Sequence, residues 1–316
     1  MPSMPINSNS LRFQGVWADV LIPLQENLDI DDSKLSAHLR NLCANGIEQF
    51  LLFGQAGEGA SFSSDEKLAT LSHVLTSGVE AKAILLGVQS CSFTDVAQLI
   101  RKAYDKGVRR FLVSPPLYGQ PFNHMALFDY MDQLIKHVNL PDWQLFLHQL
   151  GGLSHSADLP EITLADLRKA HPHVFAGVVD QDVHVNHTVD LIRSFGSEIA
   201  IASAHEPNFS ILKPTMCVSA MANILPHSIK RLLANEAVNN ATKIPGMKVA
   251  RPDDRVVELF TLIGDRPFIA SMKLLLSIHY RMESWERVRP PQSRLTKEVK
   301  QSLLSAFKTF NLQAHE

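Results

Sequence analysis

The sequence predicts an α/β fold, a (β/α)8 TIM barrel with a C-terminal helical extension, and three observations carry that expectation. Short β-branched or apolar runs alternate with longer amphipathic stretches from Gly15 to about Ala234, the pattern of parallel strands joined by helices. Eight such runs can be counted, which favours a closed barrel over an open sheet. The chain has 316 residues, which suits a barrel of about 250 residues followed by an extension.

Taken in order, the strands are expected to begin near Val16, Gln49, Ala83, Arg110, Gln144, Val174, Glu198 and Met216. Asn45-Gly46 ends the first helix, where a left-handed residue is needed, and Ser63 with Glu66 forms a capping box that opens the second. Between Ser203 and Met216 the prolines Pro207 and Pro214 interrupt helical periodicity, so the seventh helix is expected to be short or irregular. After Asn235 the pattern is wholly helical, with segments expected from Arg255 to Ile263, Pro267 to His279 and Thr296 to Phe307. The doublet Pro290-Pro291 marks a loop before the last of these. The expected organisation is an N-terminal segment over residues 1–14, a barrel over 15–235 and an extension over 236–316 packed on the barrel's side.

Composition narrows the function classes. Hydrophobic residues make up 45% and charged residues 20%, enough apolar surface for a sizeable core. The formal net charge is -2 with Lys and Arg scattered, so neither nucleic acid nor an anionic membrane is the expected partner; a small molecule is. Cys43, Cys91 and Cys217 fall at unrelated spacings, which argues against a disulfide framework or a zinc knuckle and points to a reducing cytoplasm. The first ten residues lack a basic start and an apolar run, and no later segment approaches about 18 uncharged apolar residues, so nothing here is expected to secrete or to span a membrane.

In a barrel of this kind chemistry sits where strands lead into helices. The second strand is followed by Gly54-Gln55-Ala56-Gly57-Glu58, whose glycines allow a tight turn with consecutive N–H groups facing the mouth, suited to a carboxylate or oxyanion. Read blandly, it is a turn, with Glu58 favouring the following helix dipole. The fourth strand is followed by Val113-Ser114-Pro115-Pro116-Leu117-Tyr118-Gly119-Gln120-Pro121, whose prolines stiffen the loop that carries the Tyr118 hydroxyl, a candidate proton relay or simply a packed ring. Trp17 and Trp143 lie on or beside strands and read as core.

These loops, together with Gly15-Val16-Trp17-Ala18-Asp19-Val20-Leu21-Ile22-Pro23 at the first strand and Val288-Arg289-Pro290-Pro291 before the last helix, resemble the dihydrodipicolinate synthase and N-acetylneuraminate lyase family of class I aldolases. The resemblance covers nearly the whole chain. It implies that Gly54 to Glu58 hold the place of a turn that binds the carboxylate of pyruvate, and that Tyr118 holds the place of the proton-relaying tyrosine. It also implies a homo-oligomer, dimer or tetramer; no cofactor is expected. The departures from the pattern carry as much weight. Where the family has a phrase like Gly-Ile-Lys-Glu, whose lysine forms the Schiff base, this chain has Ala176-Gly177-Val178-Val179-Asp180, which puts Val179 at the lysine's position. A threonine pair is replaced by Gln55 and Ala56, and Gly152 stands where many members carry an arginine. Among the loops after the strands the sequence offers only Lys213, placed toward the opposite end of the barrel.

The same strand ends gather His148, then Asp180, Asp182 and His184, then His205 with Glu206, while His155 and His124 lie on nearby loops. His148, Asp180 and His205 are candidates to converge as acid-base groups or, at a lower prior, on a divalent metal; the alternative is solvated loop histidines. Three readings remain open at this level. The first is a divergent family member with a small carboxylate or carbonyl pocket that does not act through a lysine Schiff base. The second is a catalytically silent small-molecule sensor or partner subunit, and the third a metal-assisted lyase or hydrolase. Whether the chain is an enzyme stays open among them.

Overall fold

Strands that are apolar on both faces must be covered inside and out, and closing the sheet on itself beneath a ring of helices does this. A computed structural model of the protein, describing residues 13–116, 122–150, 159–212, 214–233 and 252–310, shows that solution. Eight parallel strands pair in sequence order: β1 (Gly15–Asp19), β2 (Gln49–Leu52), β3 (Ile84–Gly87), β4 (Arg110–Val113), β5 (Gln144–Gln149), β6 (Phe175–Asp180), β7 (Ala200–Ser203) and β8 (Met216–Ser219). The barrel closes where β1 pairs with β8, Val16 opposite Cys217 and Trp17 opposite Val218. Each strand starts within two residues of its predicted position.

Helices cover the outside: α1 (Asp32–Ala44), α2 (Ser64–Thr76), α3 (Phe93–Asp105), α4 (His124–Val138), α5 (Glu161–Ala170), α6 (Val185–Phe195), α7 (Phe209–Leu212) and α8 (Pro226–Leu233). Helix α3 shows how the pattern works: Val96, Ala97, Leu99, Ile100 and Ala103 recur at helical spacing and are all buried against the barrel. The capping box of Ser63 and Glu66 forms as expected, and Gly46 takes the left-handed φ of 76° after α1. Helix α7 has four residues, the consequence of the prolines around it.

Inside the barrel, Trp17, Leu51, Leu85, Leu112, Phe146 and Val179 form a separate apolar cluster, which Phe13 joins through an edge-on contact with Phe146 at 4.9 Å. Trp17 and Trp143 are buried, as read from sequence. The three cysteines are unpaired. Among the described residues no helix is long and apolar enough to cross a membrane.

The extension contributes α9 (Pro252–Ile263), α10 (Phe268–Tyr280) and α11 (Lys297–Phe310). Val256, Leu259, Leu275 and Leu303 join the same apolar core as the barrel's outer face. A polar clamp fixes this docking. Lys273 on α10 has no exposed side-chain surface, and its ammonium bonds Glu58 in the turn after β2 and the Arg287 carbonyl at 2.8 Å. The other oxygen of Glu58 accepts from the Arg289 amide at 2.7 Å, and the Arg289 guanidinium lies over Phe62 and bonds Glu66.

Removing one partner of a fully buried pair leaves an uncompensated charge. Lys273→Met is therefore expected to lower unfolding free energy by about 3–5 kcal/mol, and the double variant with Glu58→Gln to recover most of it. Urea denaturation of the two variants beside the wild type measures both.

Candidate functional site

Side chains alternate along a strand, so the residues following the lumen cluster by two positions reach the barrel's mouth. On β1 that residue is Asp19, two beyond Trp17; on β5 it is His148, two beyond Phe146; after β6 it is Gln181, two beyond Val179. These line a cavity of about 350 Å³ together with Gln55, His205 and Glu206, while Phe260 and Phe268 of the extension form part of its wall.

Asp19 is nearly inaccessible to solvent, 6% exposed, and its Oδ2 accepts a hydrogen bond from the Ala56 amide at 2.9 Å. Gly54 makes room for it, since a Cβ built on that residue would overlap Oδ1. Oδ1 has no hydrogen bond of good geometry. Burial raises the pKa of Asp19 to about 7, with the negative charge of Glu206 adding to it, against the opposing pull of the Ala56, Gly57 and Gln55 amides. Glu206, in the short turn after β7, accepts from Ser219 Oγ and from the Met221 amide, each at 3.1 Å. Burial raises its pKa as well, although those donors oppose the shift. The wall thus holds two carboxyl groups that favour protons, and no lysine or arginine among the described residues.

His148 is buried and its pKa is pushed down to about 4 by that burial, against the Gln181 hydrogen bond and the nearby charge of Asp180. As the neighbouring amides are oriented, Nε2 donates to Gln181 Oε1 at 3.2 Å, while Nδ1 accepts from Ser114 Oγ at 3.4 Å and Gln89 Nε2 at 3.5 Å. The ring is a neutral imidazole with all-neutral partners. His205 packs edge-on against Phe260 at 5.2 Å and is likewise shifted down by burial.

Of the residues predicted from sequence, Gln55, Ala56, His148, Val179 and His205 line this cavity. Gly54 and Gly57 shape the turn, but Glu58 is held in the clamp with Lys273 and Arg289. Val179 is fully buried in the lumen, so the side chain at the presumed lysine position does reach the site. Asp180 does not converge with the two histidines. It sits on the alternate face of β6, fully buried, where Thr188 Oγ1 donates to it at 2.6 Å, His187 lies at 3.1 Å and the Asp182 amide at 3.2 Å. Asp182 and His184 belong to the same turn, the Asp182 carboxylate accepting from the His184 amide. His124 is the first residue of α4 and is half-buried. Tyr118, Gly152, His155 and Lys213 lie outside the described residues.

Sequence reasoning did not single out Asp19. The only signal was an acid inside an otherwise apolar first-strand phrase. Gln89, Ser114 and Gln181 were also missed, because neutral hydrogen-bonding residues on loops carry no distinguishing pattern. Two buried lysines, Lys67 and Lys273, turn elsewhere: Lys67 donates to the Gln89 carbonyl at 3.1 Å, its pKa brought down to about 8 by burial, and neither lines the cavity.

Comparison with known proteins gives one consistent answer. A sequence model described as the Dihydrodipicolinate synthetase family matches residues 12–310. The chain is 22% identical over 268 residues to a 4-hydroxy-tetrahydrodipicolinate synthase of Agrobacterium fabrum, covering 84% of this chain and 87% of that one. The solved structure of dihydrodipicolinate synthase from Agrobacterium tumefaciens superposes with a TM-score of 0.83 at 24% identity, over 94% of this chain and 99% of the other. Proteus mirabilis N-acetylneuraminate lyase gives 0.77 at 17% identity, over 95% and 99%. At these identities the solved structures show a shared fold.

Asp19 binds its proton more tightly in the folded chain, near 7, than at the ordinary carboxyl value of 3.8. Its contribution to stability is therefore full below about pH 4 and is lost as pH rises through about 7. Asp19→Asn, which cannot titrate, is expected to gain on the wild type steadily across that window, by a few kcal/mol in all, in unfolding free energies measured at a series of pH values. By the same physics the His148 ring is expected to stay neutral down to about pH 5, read from its carbon-bound proton shifts.

Proposed function

The chain belongs to the dihydrodipicolinate synthetase family, and on that premise we propose that it is a divergent member which acts on a small carbonyl or hydroxyl compound by proton transfer, without a lysine Schiff base. The observation that carries the reading is Asp19. It is an acid with a pKa near neutrality on the wall of a cavity that holds no lysine or arginine among the described residues.

The chemistry follows from the charges. A keto acid becomes an electron sink in class I fashion only as a protonated imine, which needs an amine. Val179 supplies none. General acid–base catalysis needs instead a base and an acid whose proton affinities lie near the working pH. Ionised Asp19 takes a proton from the carbon beside a carbonyl, or from a hydroxyl. Glu206, whose protonated form burial favours, returns one to the oxygen from across the same cavity, giving an enol or, where a hydroxyl leaves as water, a dehydrated product. His148 stays neutral and positions Gln181. Tyr118, on the loop after β4, is the further relay that the sequence suggests. The unpaired cysteines support a reducing cytoplasm, and we carry forward a homo-oligomer that engages neither nucleic acid nor membrane.

A second reading, binding without turnover, is favoured by one specific feature. Asp19 Oδ2 and both nitrogens of His148 already have protein partners, as in a site built for rigidity. A thermal-shift screen of small carbonyl and polyol compounds, followed by turnover assays on those that stabilise, separates the two. Turnover is expected for the first reading, with kcat/KM rising with pH through about 7 as Asp19 ionises and Asp19→Asn lowering kcat by at least about 100-fold. Stabilisation with no turnover would favour the sensor. Incubation with pyruvate and borohydride is expected to leave the intact mass unchanged. An adduct on any lysine, Lys67 being the first to inspect, would overturn the proposal.

A further inference from the structure

A row of backbone amides in a tight, glycine-bearing turn is a receptor for a carboxylate. In this protein such a turn opens onto the cavity after β2, and its amides already meet one: the Ala56 N–H donates to Asp19 Oδ2 at 2.9 Å, with the Gly57 and Gln55 amides acting on the same group. The space that the carboxylate fills exists because residue 54 is glycine. We propose that Asp19 is a built-in occupant of this carboxylate receptor and a specificity-determining residue, so that the site rejects ligands bearing a carboxylate at this end and admits uncharged ones.

An incoming carboxylate would need the same amides that Asp19 holds. It would also approach both Asp19 and Glu206 across a wall with no lysine or arginine among the described residues. Ionised Asp19 repels a like charge strongly in a site of low dielectric, and no lysine or arginine on the described wall offsets the loss of hydration. An uncharged carbonyl or hydroxyl group faces the opposite situation. It carries no charge for Asp19 to repel and does not need the amides that Asp19 holds, while Asp19 Oδ1 itself stays buried against Gly54. The inference rests on the proposed reading only in placing the ligand at the barrel's mouth, and it holds whether or not the ligand is turned over.

The test is a transplant of the carboxylate from chain to solvent. Formate and pyruvate are titrated against the wild type, Asp19→Ala, Asp19→Asn and Glu206→Gln at pH 8, read by melting temperature and by calorimetry, with hydroxyacetone as the uncharged counterpart of pyruvate. Asp19→Ala vacates the receptor and is expected to bind formate and pyruvate at least about tenfold more tightly than the wild type. Asp19→Asn keeps an oxygen in the turn and is expected to bind neither. Glu206→Gln removes the neighbouring carboxyl, and with it any charge it carries at this pH, but leaves the receptor filled and is also expected to bind neither, while the wild type prefers hydroxyacetone to pyruvate. Wild-type binding of formate equal to that of Asp19→Ala would overturn the proposal. So would formate binding by Glu206→Gln, since repulsion alone would then explain the exclusion, and that arm decides even where Asp19→Ala folds poorly. All readouts are of binding, so absence of turnover, which would sink the catalytic reading, leaves this result standing on its own.

Discussion

The turn after β2 is held by two carboxylates, and the architecture of the mouth depends on both. Glu58, within the turn, reaches out to Lys273 and the Arg289 amide and so fastens the helical extension to the barrel. Asp19, from β1, reaches in and accepts from the Ala56 amide. The first interaction brings α9 and α10 to the place where Phe260 and Phe268 wall the cavity, and the second sets the cavity's charge. A pocket that is apolar at one wall and acidic at another follows from these two bonds.

Parity along the strands decides which polar groups can serve such a site. In β6, Val179 and Asp180 are neighbours, yet the valine enters the lumen and the acid faces the helices, where Thr188 and His187 hold it. Exchanging the two faces would require a one-residue register slip that moved every other side chain of the strand as well. Asp180 thus fixes the start of α6 and reaches His148 only through its field. The same rule puts Asp19 and His148 in the lumen, two positions beyond Trp17 and Phe146.

The fold was legible because apolar runs separated by amphipathic stretches leave few alternatives to a barrel, and strand starts such as Gln49, Arg110, Gln144 and Met216 were read to the residue. The site was legible only in part, for a physical reason. A barrel strand is buried on both faces, so FAGVVD in β6 offers no alternation from which to tell Val179 from Asp180. Asp19 was hidden by the same absence, an acid in an apolar phrase with nothing to say that the amide it would meet lies 37 residues away. The Glu58 pairing spans 215 residues, and a helix-dipole role explained the glutamate equally well until α10 was placed.

The electrostatic character of the cavity then follows from what burial does to groups of opposite sign. Burial disfavours charge in either form, lifting Asp19 and Glu206 toward the protonated state and holding His148 and His205 in the neutral one. Without a lysine or arginine on the described wall, local hydrogen bonds and charges oppose these shifts but do not reverse them, so all four groups sit closer to neutrality than they would in water. A site in that condition has a high affinity for protons shared along hydrogen bonds and a low tolerance for added negative charge. An amine at position 179 would have reversed this, pulling both carboxyls back toward ionisation and allowing an anionic substrate to enter. In the proposed reading, valine there and aspartate at position 19 are therefore two parts of one arrangement: residue 179 offers no amine to draw in a keto acid, and the Ala56 amide that would meet its carboxylate is occupied.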